Sequence, residues 1–217
     1  MVIAIDGPAA SGKSTTAKEV ASRLEYIYLD TGATYRALTL KAIENSVDME
    51  NGNELSRLAL KTDISFKNAR LYLNGKDVTE EIRKPVVDEN VSLVSSYPEV
   101  RKRMVILQRK ISKGRNVVCE GRDIGTVVFP DADVKIYIDA SLDVRAKRRM
   151  LELQSNGVNI TYENVKRQLQ ARDNLDSKRQ HSPLSIPEGA VILDTTNLTI
   201  EEQVKKVLEI IESLKRV

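Results

Sequence analysis

The chain has 217 residues, with 34 Lys and Arg against 31 Asp and Glu, a formal net charge of +3. So small an excess does not demand nucleic acid as a partner, and it fits equally a protein that gathers anionic substrates in a basic cleft. One cysteine, Cys119, excludes an internal disulfide and a cysteine-based zinc site, and one histidine, His181, excludes a multi-histidine metal site, so base chemistry is expected from carboxylates.

Residues 2–5 (VIAI) make a short, wholly apolar strand of the kind buried in a parallel sheet. Residues 14–24 then set Ala17, Val20, Ala21 and Leu24 on one helical stripe. Residues 26–29 (YIYL) predict a second strand, and 33–45 return to helical spacing. Strand, loop, helix, strand, helix argues for parallel pairing. The middle differs: 64–66, 70–73 and 76–78 are short alternating segments, separated by Lys67-Asn68-Ala69 and then by Asn74-Gly75. Asn-Gly is a strong two-residue hairpin signal, so a three-stranded antiparallel insert is expected.

Helices are predicted over 86–96 and 98–112, with Pro98 suited to the first turn of the latter. Strands at 116–119 and 134–139, basic helices at 141–154 and 162–174, a strand at 190–193 and a helix at 199–214 complete the pattern. Thr199 and Glu202 make a capping box for that last helix. The fold class expected is α/β, a five-stranded parallel sheet with helices on both faces plus the small antiparallel insert. The start, MVIAIDG, has no basic segment or long apolar core, and no apolar run approaches the ~18 residues of a membrane span. A cytoplasmic protein without a membrane partner is the expectation.

Residues 7–15, GPAASGKST, fit G-x-x-x-x-G-K-[ST] and lie between a predicted strand and helix. Gly7, Pro8, Ala9, Ala10, Ser11, Gly12, Lys13, Ser14 and Thr15 are therefore the candidate triphosphate loop. Its glycines let backbone N–H groups point inward, and the helix that follows adds its positive end. Lys13 reaches the β and γ phosphates, and Ser14 gives an oxygen to Mg²⁺. No Asn-Lys-x-Asp segment reads guanine; residues 194–197 (DTTN) follow the last strand but lack the lysine. ATP is the expected nucleotide.

Phosphoryl transfer to an anionic acceptor needs further cations. Residues 29–36 (LDTGATYR) follow the second strand and offer the Thr31 hydroxyl, the Gly32 backbone and Arg36, although Arg36 fits a solvated helix position as well. In 119–132 (CEGRDIGTVVFPDA), Glu120, Gly121, Arg122 and Asp123 directly follow an apolar strand, where α/β sheets face their ligands. In 170–179 (QARDNLDSKR), Arg172, Asp176 and Arg179 share one face if helical, and a surface salt-bridge face explains that spacing equally.

With these segments in order, joined by SLVSSYPEVR, RRMLELQ and AVILDTTNLTIEE, the chain resembles the bacterial cytidylate kinases, within the P-loop nucleoside monophosphate kinases. The phosphate loop is widely shared; the GRDIGTVVFPDA stretch with the later R-D-x-x-D-x-x-R is far more particular. The resemblance implies a P-loop core (1–30, 114–143 and 184–217), a monophosphate-binding domain (31–113) whose insert falls at about 62–94, and a helical lid (144–183). It implies that Thr31, Arg36 and Arg122 hold the CMP phosphate, with Arg179 reaching it from the lid. Ser92, Arg101 and Asp123 would read cytosine, with Gly121 beside them, and Arg172 and Asp176 would bind the sugar hydroxyls. Lys13, Arg122, Arg148, Arg149 and Arg179 would act on the transferring group. Thr31 stands where serine is common, and Glu120 where aspartate is common.

The base chemistry agrees. Cytosine presents an N4 donor beside acceptors at N3 and O2, which a carboxylate and an arginine can match; uracil reverses N3 and O4 and would leave groups unpaired. The implied activity is transfer from ATP to CMP and dCMP with Mg²⁺, by a monomer without nucleic-acid partners. A kinase for UMP, AMP or a small metabolite, and a non-catalytic nucleotide-binding regulator, are the alternatives. Cys119 reads as a core residue and His181 as a surface one.

Overall fold

Short apolar segments, too brief for helices, pair side by side. In a computed structural model of the chain, which describes residues 1–67, 70–155 and 157–215, five of them form one parallel sheet. They are β1 (Val2–Asp6), β2 (Ile27–Asp30), β6 (Val117–Gly121), β7 (Val134–Asp139) and β8 (Val191–Asp194), in the order β2-β6-β1-β7-β8. The chain divides into two units, Met1–Tyr28 with Asn116–Val217 and Leu29–Arg115, the first boundary falling inside β2.

In the first unit β1 is central, with Ala4 opposite Cys119 on β6 and Lys135 on β7. Helices α1 (Lys13–Leu24), α6 (Leu142–Ser155), α7 (Tyr162–Lys178) and α8 (Ile200–Lys215) belong to this unit. Ile3, Ile5, Val118, Ile136 and Ile138 of the sheet pack with Val20 of α1 and with Val207 and Ile211 of α8. Each such side chain stabilises the fold by about 1.5–3 kcal/mol through burial. That packing fixes the carboxyl ends of β1, β6 and β7, where Asp6, Gly121 and Asp139 stand. Cys119 is buried in the core, as expected.

The second unit holds α2 (Thr31–Glu44), α3 (Gly52–Lys61), the antiparallel strands β3 (Ile64–Lys67), β4 (Arg70–Leu73) and β5 (Lys76–Asp77), α4 (Pro85–Val94) and α5 (Pro98–Ser112). Asn74 and Gly75 turn β4 into β5 with φ of 49° and 82°, both in the left-handed region that a tight hairpin needs. Of the turn expected at Lys67-Asn68-Ala69, Asn68 and Ala69 lie outside the described residues. Leu38, Leu55, Ile82, Val87, Val100 and Met104 make the core.

Several ends shift by one to four residues (β6 runs to Gly121, so Glu120 and Gly121 lie on the strand and not after it), and two differences go further. The Asp30 carboxylate accepts from Ala33 N at 2.9 Å, so α2 starts at Thr31, which lies on the first helical turn and not in a loop. Helix α3 falls in the stretch 46–63, for which the sequence predicted no element. In the fold Asn51 is a cap that accepts from Glu54 N at 3.2 Å, and Leu55 and Ala59 bury one stripe. No helix among the described residues is long and apolar enough to cross a membrane.

Candidate active site

The loop Gly7–Thr15 leaves the carboxyl end of β1 and turns into α1. Its two glycines answer to space. A Cβ on Gly7 would lie 2.0 Å from the Ile138 carbonyl oxygen, and one on Gly12, at φ 96°, would lie 2.6 Å from Gln203 Oε1. Lys13 is buried; its Nζ donates to the Pro8 carbonyl at 3.1 Å and lies 3.9 Å from Glu120 Oε2. Ser14 Oγ donates to Glu120 Oε1 at 2.7 Å, and the Tyr28 hydroxyl donates to the same oxygen at 3.2 Å. The lysine and the serine of the loop are thus gathered on one carboxylate. Ser14 and Glu120 are hard oxygen donors, which suits Mg²⁺, an ion that takes one or two protein ligands and leaves the rest to water and phosphate. Among the described residues no cluster of three or more His, Cys, Asp or Glu offers a closed metal cage.

Arg122 and Asp123 directly follow β6. Arg122 Nε donates to Asp176 Oδ2 at 2.9 Å, and Arg179 lies 3.8 Å from both Asp176 Oδ1 and Asp123 Oδ1. Arg179 also donates to the Ser182 carbonyl. The structure therefore brings four of the expected residues into one largely buried set of two guanidiniums and two carboxylates. Burial opposes ionisation of Asp176, yet the Arg122, Arg172 and Arg179 guanidiniums hold its carboxyl below the usual range. Burial likewise opposes the charge on Arg122, and the neighbouring carboxylates, Asp176 first and then Glu120 and Asp173, together more than offset it, so its pKa is raised. The segment after Asp123 is a single π-helical turn, Ile124–Val128, in which Val127 N and Val128 N both donate to the Asp123 carbonyl. Such turns are frequent at functional sites.

On α6 both members of the expected pair have internal partners. Arg148 points at backbone, donating to the carbonyls of Thr195 at 2.7 Å, Ser11 at 3.3 Å and Leu198 at 3.4 Å. Arg149 pairs with Glu152 at 2.8 Å. Arg145, which the sequence reading passed over, is buried: it donates to the carbonyls of Ala140 at 3.0 Å and Ala9 at 3.2 Å, and pairs with Asp173 of α7 at 2.8 Å. It ties the phosphate loop, the end of β7 and α7 together. Its one sequence signal is the place beside Ala146, on the only buried stripe of an otherwise basic helix.

In the second unit the remaining candidates sit on α2, α4 and α5. Arg36 pairs with Asp88 at 2.6 Å, and Ser92 stands one turn beyond Asp88 on α4. Arg101, 4% exposed, donates to the Ser95 carbonyl at 3.0 Å and lies 5.3 Å over the Tyr35 ring, a cation–π distance. Thr31 is buried, and its carbonyl accepts from Thr34 Oγ1 at 2.7 Å. Asp30 pairs with Arg83 at 2.6 Å; burial opposes its charge, but Arg83 holds its carboxyl below the usual range.

A strand, a glycine-bounded GKS loop and a helix, at the carboxyl edge of a five-stranded parallel sheet, define a P-loop nucleotide-binding protein. Among solved structures, the shikimate kinase from Bacteroides thetaiotaomicron shares this fold, with a TM-score of 0.50 over 98% of each chain at 12% identity. The model of the cytidylate kinase family matches residues 3–213, and the chain belongs to that family. A cytidylate kinase of Caldanaerobacter subterraneus subsp. tengcongensis is 53% identical, over 96% of this chain and 93% of its own length. Another, from Carboxydothermus hydrogenoformans, is 52% identical over 97% of each.

Proposed function

We propose that the chain transfers the γ-phosphoryl group of ATP to CMP and dCMP, giving ADP with CDP or dCDP. Beyond family membership, the observation that supports this most is the set after β6, where Asp123 and Asp176 are interleaved with Arg122 and Arg179. It offers a carboxylate for an exocyclic amine together with guanidiniums for a phosphate.

In this reading the loop Gly7–Thr15 cradles the ATP phosphates, and Lys13 neutralises charge on the group in flight. Thr31, Arg36, Arg122 and Arg179 take the CMP phosphate; Ser92, Arg101 and Asp123 read cytosine beside Gly121; Arg172 and Asp176 take the sugar hydroxyls. The acceptor phosphate oxygen is already ionised near neutral pH, so no side chain needs to remove a proton. Ser14 and, through it, Glu120 would hold Mg²⁺, which when bound draws charge from the phosphate oxygens. Residues 144–183 act as a lid that excludes water, Arg148 bracing the loop through the Ser11 carbonyl and Arg149 turning to the phosphoryl group on closure. The protein works as a cytoplasmic monomer.

The test is a coupled ADP-release assay over a panel of acceptors. CMP and dCMP should outrun UMP and AMP by tenfold or more in kcat/KM. UMP or AMP as the better acceptor would overturn the assignment of the base-reading residues. Salt-dependent RNA binding, without acceptor-dependent ATP turnover, would overturn the kinase reading itself.

A further inference from the structure

Asp6 is fully buried at the last position of β1, one residue before the phosphate loop. Its two carboxylate oxygens are each engaged by a backbone donor: Oδ1 accepts from Ile124 N at 2.7 Å and Oδ2 from Gly125 N at 2.8 Å. Those are the first two residues of the π-helical turn, and Arg122 and Asp123 immediately precede them. The partner residue is constrained as well, since a Cβ on Gly125 would lie 2.8 Å from Pro187 and 3.3 Å from Asp6 Oδ2.

Two backbone N–H groups held on one fixed carboxylate leave that short segment little freedom. The carboxylate is itself placed by the central strand of the sheet, where Asp6 is in register with Gly121 on β6. Neutral side chains cannot repeat this grip: asparagine offers one accepting oxygen and sets an NH₂ against the second N–H. The grip is also costly, because burial pushes the Asp6 carboxyl up to about 6. An ionised buried carboxylate kept at such a position calls for a reason other than stability.

We infer that Asp6 is a positioning residue for the acceptor side of the reaction, aiming Arg122 and Asp123 through the amides of Ile124 and Gly125. This rests on the assignment of Arg122 and Asp123 to CMP. Although Asp6 adjoins the phosphate loop in sequence, its hydrogen bonds go to the other segment, so its loss should act on CMP and not on ATP.

The experiment compares Asp6→Asn, Gly125→Ala and Asp123→Ala in the full chain, with KM and kcat for CMP and UMP and the Kd of a Mg²⁺-bound non-hydrolysable ATP analogue. Asp6→Asn should raise the KM for CMP tenfold or more and narrow the preference over UMP, while the Kd of the analogue stays within twofold. Gly125→Ala should move the same quantities in the same direction, and it decides the matter if Asp6→Asn does not fold. If Asp123→Ala weakens CMP and neither other variant does, the positioning role is wrong and the reading of Asp123 stands. If Asp123→Ala leaves CMP untouched, the reading of Asp123 fails first. Equal losses for CMP and the ATP analogue in Asp6→Asn would make Asp6 a general structural residue and overturn the inference.

Discussion

In the first unit the candidate site's loop lysine and acceptor arginines converge on carboxylates at or near the ends of strands; in the second the candidate arginines Arg36 and Arg101 hang from helices. Lys13 and Ser14 converge on Glu120, and Arg122 and Arg179 on Asp176, all at or just beyond the carboxyl ends of buried strands or anchored to them. In the second unit Arg36 meets Asp88 from α2 to α4, and Arg101 leans from α5 over Tyr35 of α2. In both, the cations assigned to phosphate already have an internal anion or carbonyl as partner. On the proposed assignment, a nucleotide phosphate would compete with or add to partners that the protein already provides. The difference lies in the support. Ends of the buried strands β1 and β6 have little room to adjust, whereas helix side chains can swing on rotamers.

The largest effect should come from the first unit. Lys13→Ala removes the one cation that the phosphate loop itself carries. Its kcat should fall by about 10²–10³, or about 3–4 kcal/mol of barrier, with a much smaller change in the KM for CMP. Steady-state kinetics at saturating ATP measures both. An unchanged kcat would remove Lys13 from the chemistry and leave it as a brace on the Pro8 carbonyl.

One substitution, made once in each unit, sharpens the contrast next. Gly7→Ala sets a Cβ 2.0 Å from the backbone oxygen of Ile138, while Gly75→Ala, at φ 82°, meets nothing within 4 Å. Gly7→Ala should cost about 3 kcal/mol or more, combining overpacking with backbone strain. Gly75→Ala should cost only about 1 kcal/mol, from the left-handed backbone alone, with turnover unchanged. Urea unfolding of the two variants checks the difference. Similar losses for both would mean that the strand end yields as readily as the hairpin.

The same contrast explains what was legible in the sequence. The parallel strands were readable because each is a short run made mostly of apolar residues, buried most fully in β1 and β6, and the Asn74-Gly75 hairpin because its conformation demands those residue types. The candidates Lys13, Ser14, Arg122, Asp176 and Arg179 were readable because spacing put them at strand ends or on one helical face. Helix α3 was hidden because a capping Asn51 and a Gly52 lodged against the Tyr97 ring look like a turn until the ring is known to be there. Asp6 was hidden because its partners are backbone amides 118 and 119 residues away, and Arg145 because it reaches the Ala9 carbonyl 136 residues away and a carboxylate on another helix, which no local pattern records.

Two strand-ending carboxylates make the finest test. Asp6 ends β1 and Asp30 ends β2; both are buried and both accept backbone N–H groups. Burial pushes Asp6 from an ordinary 3.8 up to about 6, against the pull of its two amides, whereas Arg83 holds Asp30 below the usual range in spite of burial. A raised folded-state pKa makes the ionised form the unfavourable one, so the Asp6 contribution is complete below about 4 and lost as pH rises through about 6. A lowered pKa reverses the sign: the Asp30 contribution is complete above the ordinary carboxylate range and lost only as pH falls through its lowered value. Between pH 7 and pH 5, the wild type should therefore gain on the order of 1 kcal/mol relative to Asp6→Asn. Over the same window its margin over Asp30→Asn should stay level. Urea unfolding at the two pH values reads both. A flat Asp6 margin would mean that the amides of Ile124 and Gly125 fully offset burial, and a falling Asp30 margin would mean that Arg83 does not hold that carboxylate in solution.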